Sequence, residues 1–387
     1  MLTLALTALC ATALLTQPAP IDDQWRTVTT PANQQLAYRI IPADSPSPTQ
    51  HILLLPPGGQ NREMVDIAVS LYIPDDAAAR GWTVLAPTAL AGSSMLEQAS
   101  EIWTLVNTVL GPDASVHIVG VSNGGRAAFP VALAAPGRVR SITVLPGHAH
   151  DAATAQSLPR LKDIPRHIIV GEQDDAAWVT AAKRTHELLV SAGAPATLNL
   201  RAGDGHRINI SAGELLAHLE STNRARQSAS DRASADTAIR ATLDALHDAA
   251  SRADAQRYWS LFARDAVFLG TDPAERWTLD QFKAYANPIF GSGRGWTYQP
   301  VRRAVTVAPD AQTAWFDEDL ANAKLGLCRG TGVLVREQGI WKIAQYTLTV
   351  PVPNDLMPRV IDIVREKQGP GDFQRGDPTQ SPAGRCR

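Results

Sequence analysis

Between residues 25 and 201, short apolar runs alternate with longer stretches in which apolar residues recur every three or four positions. Trp25 to Ile41 alternates apolar and polar residues about Thr30-Pro-Ala-Asn33, which predicts one or two antiparallel strands with that segment as the turn. His51 to Leu55, Trp82 to Pro87, Val116 to Val119, Ser141 to Leu145, His167 to Val170 and Ala196 to Arg201 read as further strands. Helical spacing covers Arg62 to Ser70, Ser94 to Leu110, Arg126 to Ala135 and Ala177 to Ala192. Strands and amphipathic helices in alternation imply an α/β unit with a mostly parallel, doubly covered sheet. Such sheets bind ligands beyond the carboxyl ends of their strands.

The pattern changes after Leu215 to Glu220, which closes the last helix of this unit. Ser221 to Asp236 is rich in Ser, Ala, Arg and Asp and has no large apolar residue, so it reads as a solvated linker or an exposed helix start. The linker is drawn at 221–237, between a first domain at 24–220 and a second at 238–355. In the second domain, helices are expected at 238–250, 254–261 and 278–286, the last with the stripe Leu279, Phe282 and Tyr285. Strands are expected at 266–269, 296–300, 302–307, 313–320, 330–336 and 341–349. Helices followed by a run of antiparallel strands make a smaller α+β domain. Residues 369–387 carry Gly, Pro, Gln and charges and read as a disordered tail.

A length of 387 residues allows each domain its own core. With 36 basic and 38 acidic residues and no basic run, neither nucleic acid nor an anionic membrane surface is an implied partner. Leu2 to Leu15 is apolar but for threonines and cysteine, too short to span a bilayer and suited to the core of a signal peptide over 1–20. Export, periplasmic or secreted, is therefore expected, with no stable membrane insertion. Against it stand the lack of Lys or Arg before Arg26 and the lack of a clean A-x-A cleavage site. Leu9 precedes Cys10, which excludes a lipoprotein box, and removal of the leader leaves only Cys328 and Cys386, too few for a disulfide framework.

The candidate chemistry centres on Gly120-Val121-Ser122-Asn123-Gly124, which joins strand Val116 to Val119 to a helix of small residues. G-x-S-x-G between strand and helix is a nucleophile elbow, in which the turn lifts a serine hydroxyl above the sheet edge. The bare motif arises often by chance, and its flanking strand and helix give it weight. Two further strands end in chemistry: His167 to Val170 in Gly171-Glu-Gln-Asp174, and Ala196 to Arg201 in Ala202-Gly-Asp-Gly-His206. A serine needs an imidazole to take its proton, and the imidazole needs a carboxylate to hold its tautomer. Asp175 and Asp204 compete with Asp174 for the last role. After strand His51 to Leu55 comes Pro56-Pro-Gly-Gly-Gln60, where glycines can turn backbone N–H groups toward a ligand. His148 and His150 in Gly147-His-Ala-His-Asp151 are too few for a metal site, and no metal is expected.

The elbow, the Gly58-Gly59 loop, the strand-end Asp174 and the late Gly205-His206, in that chain order of Ser, Asp and His, resemble the α/β-hydrolase family over residues 24 to 220. The resemblance implies Ser122 as nucleophile, His206 as base, Asp174 as its orienter, and an oxyanion hole from Asn123 with Gly59 or Gln60. Many members have His-Gly where this chain has Pro57-Gly58, which leaves the loop donor open.

Tyr258-Trp-Ser-Leu-Phe-Ala-Arg-Asp-Ala-Val-Phe-Leu-Gly-Thr271, Trp277-Thr-Leu-Asp-Gln-Phe282 and Gly332-Val-Leu to Trp341-Lys-Ile-Ala-Gln-Tyr346 resemble the SnoaL-like, nuclear transport factor 2-like superfamily of cone-shaped α+β domains. That resemblance implies either a pocket for a small organic molecule, in some members with a carboxylate base, or a homodimerisation module. Thr271, Asp272, Trp315, Asp317, Glu318 and Arg329 are the candidate pocket residues, with Asp317 and Arg329 as a hook if strand alternation turns them inward. Exposed strand charges are the competing reading for both.

The expected protein is an exported serine hydrolase, a carboxylic-ester hydrolase without a cofactor, acting on a small-molecule or polymeric ester. The alternative is a protein without this catalysis whose second domain binds a small organic ligand or dimerises.

Overall fold

The computed structural model describes residues 25–45 and 50–368. The expected leader at 1–20 and tail at 369–387 lie outside the described residues. The chain forms two compact units, Met1–Arg224 and Ala225–Arg387.

In the first unit, β1 (Trp25–Thr29) and β2 (Gln35–Ile41) pair antiparallel around a turn in which Asn33 takes a positive φ of 57°. There follow β3 (Gln50–Leu55), α1 (Arg62–Tyr72), β4 (Trp82–Pro87), α2 (Ala99–Leu110), β5 (Val116–Gly120), α3 (Asn123–Ala134) and β6 (Val139–Val144). The short α4 (Ala152–Ser157), β7 (Arg166–Gly171), α5 (Ala176–Ser191) and β8 (Ala196–Arg201) complete the series. The eight strands are ordered β1-β2-β4-β3-β5-β6-β7-β8, antiparallel at β1-β2-β4 and parallel from β4 onward. This is the topology that the α/β-hydrolase resemblance implies.

Side-chain alternation divides the apolar residues of the strands between the two faces. Leu53, Leu55, Ile118 and Val170 pack with Ile102 of α2, Phe129 of α3 and Leu189 of α5. Ile52, Leu54, Val119 and Ile169 pack on the other side with Val65 and Val69 of α1 and with Leu215, Leu216 and Leu219. Both faces are thus covered, and only the strand ends remain for a site.

The last three of those leucines open α6 (Ala212–Ser251), a helix of 40 residues that includes the whole segment expected as a linker. The absence of large apolar residues there reflects a solvated helix rather than an irregular chain. Its own i,i+4 pairs support it: Gln227 donates to Asp231, Arg232 to Ser228 and Arg240 to Asp236.

The second unit continues with α7 (Ala255–Ser260), β9 (Phe262–Leu269), β10 (Arg276–Thr278) and α8 (Leu279–Gly291). It ends in β11 (Gln299–Val307), β12 (Thr313–Asn322), β13 (Gly326–Glu337), β14 (Ile340–Thr349) and α9 (Met357–Gln368). Its six strands run β10-β9-β14-β13-β12-β11, all antiparallel except β14 beside β9. Ile239, Leu243, Leu246 and Ala250 make one stripe of α6, packed with Phe282 and Phe290 of α8 over Phe316, Leu334, Ile343 and Tyr346 of the sheet. A capping box between Thr278 and Gln281 sets the start of α8.

Three expectations shift. The strand expected at 296–300 begins only at Gln299, because the Trp296 N–H bonds the Ala250 carbonyl and its ring stacks on Phe290 at 4.6 Å. Strand β10 and helix α9 were not expected. The first has three residues, and the second lies between the second domain drawn at 238–355 and the tail drawn at 369–387, where no element was expected.

Candidate active site

The C-terminal ends of β5, β7 and β8 converge on one point. Ser122 follows β5 with φ 53° and ψ −114°, a backbone strain that the surrounding turn must hold. Glycines on both sides make the turn feasible. A Cβ on Gly120 would lie 2.5 Å from the Gly124 carbonyl oxygen, and one on Gly124 would collide with the carbonyl of Leu55. α3 can therefore start against the end of β3, with the serine at its N-cap.

Ser122 Oγ lies 2.8 Å from His206 Nε2, and His206 Nδ1 lies 2.9 and 3.0 Å from the two carboxylate oxygens of Asp174. The carboxylate can only accept, so Nδ1 carries the proton and Nε2 presents its lone pair to the serine hydroxyl. Asp174 is sequestered at 2% side-chain exposure, whereas His206 is open at 45%. The rivals of Asp174 are engaged elsewhere. Asp175 caps α5 through Ala177 N–H at 2.7 Å, and Asp204 accepts Asn209 N–H at 2.9 Å and pairs with Arg201 at 3.5 Å.

Of the expected oxyanion donors, the Gln60 N–H is occupied by the Pro57 carbonyl at 3.0 Å, and its side chain ties Met95 N–H at 3.1 Å. Gln60, with φ 56°, thus shapes the loop and has no free backbone donor. Asn123 and Gly59 make no backbone N–H bond among the described residues, and a Cβ on Gly59 would meet open space. The Asn123 amide also bonds the Gly58 carbonyl at 3.1 Å, linking the two loops.

Trp178 of α5 was not singled out from the sequence. Its ring stands edge-on to His206 at 4.6 Å and to His148 at 4.8 Å. A tryptophan at the first turn of a helix that directly follows a strand-end acid was the available signal. His148 hydrogen-bonds its neighbour's carbonyl, Ala149, and burial lowers its pKa. His150 pairs with Asp151 at 3.1 Å. Among the described residues, no group of three or more His, Cys, Asp or Glu could hold a metal ion. Cys328 is free and buried, and among the described residues no helix is long and apolar enough to cross a membrane.

In the second unit, a cavity of about 530 Å³ is lined by Thr271, as expected, together with Glu275, Trp277, Trp296 and Tyr298. Asp272, Trp315, Asp317 and Arg329 do not line it. Asp272 caps its own turn through Ala274 N–H at 2.8 Å. On β12 the inward residues are Ala314, Phe316, Glu318 and Leu320, so Trp315 is exposed. Asp317 meets Arg302 at 3.7 Å, and Arg329 meets Asp319 at 3.3 Å, all on the outer side. The hook expected from Asp317 and Arg329 is thus displaced by one residue of strand register. Glu318 alone of the β12 candidates turns into the core.

The SnoaL-like domain family model matches residues 239–353. No curated protein sequence matches the chain. Among solved structures, a thermostable esterase matches with 16% identity and a TM-score of 0.40, over 46% of this chain and 54% of that one. The match therefore spans about half the length of that esterase. Dienelactone hydrolase from Anabaena variabilis matches with 17% identity and a TM-score of 0.41, over 52% of this chain and 95% of that one. A nuclear transport factor 2-like protein of unknown function from Pseudomonas putida matches with 15% identity and a TM-score of 0.28, over 32% of this chain and 91% of that one. On its own strand order the first unit has the α/β-hydrolase fold, and residues 239–353 form a SnoaL-like domain.

Proposed function

We propose that the first unit is a serine hydrolase that cleaves carboxylic esters. The observation that supports this reading is the unbroken hydrogen-bonded chain from Asp174 through His206 to Ser122 at a strained strand-to-helix turn. In the reaction, His206 Nε2 takes the hydroxyl proton as Ser122 Oγ attacks the ester carbonyl. The imidazolium then donates that proton to the leaving alcohol oxygen, which leaves an acyl-serine. Water, deprotonated by the same nitrogen, releases the acid and restores the serine. The N–H groups of Asn123 and Gly59 face the oxyanion, and one such donor is worth about 3 kcal/mol in the transition state.

Fluorophosphonate labelling of the purified chain tests activation of the serine, followed by turnover of a short-chain aryl ester. Ser122→Ala and His206→Ala each should abolish labelling and turnover, and the double variant should be no worse than either, since the two act as one unit. Wild-type turnover in Ser122→Ala would refute the assignment.

Export is part of the same proposal, supported by the 14-residue apolar run Leu2 to Leu15, and the size of the secreted product tests it. For the second unit we propose self-association, supported by exposed Trp315 and Leu327 on neighbouring strands. Trp315→Lys should lower the sedimentation coefficient, and a native chain that sediments as a monomer would rule the dimer out.

A further inference from the structure

A cation beside the nucleophile has no part in the triad chemistry. Arg126 lies in the first turn of α3, and its N–H donates to the Ser122 carbonyl at 3.1 Å. The side chain therefore stands one helical turn from the serine. Its guanidinium bears on the elbow: Nη1 lies 3.5 Å from Asn123 Oδ1, and the Asn123 amide donates to the Gly58 carbonyl at 3.1 Å. The charge thus borders both loops whose N–H groups, those of Asn123 and Gly59, meet the oxyanion in the proposed reaction. Gly124 and Gly125 turn the other side of α3 to the sheet, where a Cβ on Gly125 would lie 2.1 Å from the Pro146 carbonyl oxygen. Arg126 accordingly faces away from the sheet.

Among the described residues no carboxylate pairs with Arg126, its Nε is buried without a partner, and Nη2 makes no hydrogen bond. The acids of the neighbourhood are committed elsewhere. Asp174 accepts from His206 at 2.9 Å, Asp175 caps α5, and Asp151 accepts Thr154 N–H at 2.7 Å and pairs with His150 at 3.1 Å. The residue is half-buried, so its guanidinium has given up part of its hydration with no counter-charge in return. Its field also reaches His148, whose pKa is lowered by burial foremost and by Arg126 in addition. The His148 ring meets Trp178 at 4.8 Å, and Trp178 meets His206 at 4.6 Å. An unpaired cation is thus in range of the side chains that surround Ser122.

We propose that the site selects esters that carry a carboxylate and that Arg126 reads it, which rests on the reading of Ser122 as nucleophile. A guanidinium presents a planar fork of N–H donors that fits a carboxylate, and its open Nη2 is available to one. The substrate carboxylate supplies the counter-charge that the protein does not, so an uncharged ester leaves the half-buried guanidinium unpaired. Arg126 sets specificity and moves no proton.

Two pairs of esters, each an acid and its carboxamide isostere, test this on the full chain. Phenyl hydrogen adipate against phenyl adipamate puts the charge on the acyl side, and para-acetoxybenzoate against para-acetoxybenzamide puts it on the leaving group. In at least one pair the native kcat/KM should be at least about tenfold higher for the acid, and that pair identifies the side of the scissile bond on which the charge is read. Arg126→Gln should abolish the preference, and Arg126→Lys, which keeps the charge but loses the fork, should retain only part of it. A native chain that hydrolyses all four esters with no preference for either acid would overturn the proposal and leave the role of Ser122 standing. So would a preference that survives in a folded Arg126→Gln chain. Should that variant not fold, Arg126→Lys decides, since an undiminished preference in it would mean that the fork reads nothing. A native chain that hydrolyses none of the four would overturn the reading of Ser122 and this one with it.

Discussion

The indole of Trp178 meets the imidazole of His206 edge-on, with ring centroids 4.6 Å apart at an interplanar angle of 78°. His206 is otherwise held by one hydrogen bond on each nitrogen and is open to solvent on its remaining side. Such an aromatic contact is worth about 0.5–1.5 kcal/mol, and each 1.4 kcal/mol of transition-state energy is about tenfold in rate. Trp178→Ala should therefore lower kcat for an aryl ester by about two- to tenfold, with KM little changed and Trp178→Phe restoring most of it. Equal rates for native and Trp178→Ala would show that the carboxylate alone aligns the ring.

Adjacent aspartates give the sharper contrast. Asp174 accepts from His206 Nδ1 at 2.9 Å, and Asp175 caps α5 through Ala177 N–H at 2.7 Å. Asp174→Asn puts an amide where a carboxylate accepted, which favours the wrong imidazole tautomer and should cost up to about 10,000-fold in kcat. Asp175→Asn keeps a good cap and should stay within a few fold. The kcat values of the two variants, measured side by side, decide the matter, and the reverse order would move the orienter by one residue.

The candidate site in the first unit was legible because each part sits at a strand end that its own turn residues mark. Gly120 and Gly124 flank Ser122, Gly171 precedes Asp174, and Gly205 precedes His206. The sequence favours Asp174 but keeps Asp175 and Asp204 as rivals, since helix capping and imidazole orientation call for the same residue type. The middle of α6 was hidden for another reason: a helix stretch that buries no large apolar side chain has no apolar period to detect, and only its i,i+4 polar pairs betray it. On β12, Trp315-Phe-Asp-Glu-Asp319 carries large or charged side chains in both phases, so alternation alone did not select the inward set.

Acid should weaken the first unit through the layer between its sheet and α6. There the His167 ring lies tilted against His218, centroids 4.2 Å apart, and contacts Thr197. Burial, with a smaller contribution from His218, lowers the His167 pKa to about 4, and burial lowers those of His218 and His51 as well. The unfolded chain takes up these protons near pH 6.5, before the folded chain can. Stability is thus full above that pH and declines as pH falls toward about 4, by on the order of 3 kcal/mol for His167 alone. Thermal melts at pH 7 and pH 4.5 should show the loss, and His167→Gln should flatten it. A melting temperature unchanged between the two pH values would refute the account.

The register of β12 makes two neighbouring carboxylates unequal. Asp317 lies on the outer side, near Arg302 at 3.7 Å, where solvent screens the pair. Asp317→Ala should change unfolding free energy by no more than about 0.5 kcal/mol. Glu318 has no exposure and accepts from His247, Tyr346 and Arg303. Glu318→Ala would leave the nearly buried Arg303 guanidinium with only the exposed Asp244, at 2.7 Å, as counter-charge, and Tyr346 without an acceptor. Removing one partner of such a buried pair costs about 3–5 kcal/mol, because the stranded charge stays desolvated. Urea unfolding of the two variants measures the difference directly. A Glu318→Ala chain as stable as native would mean that water reaches the cluster, and an Asp317→Ala chain with the larger loss would reverse the register assigned to β12.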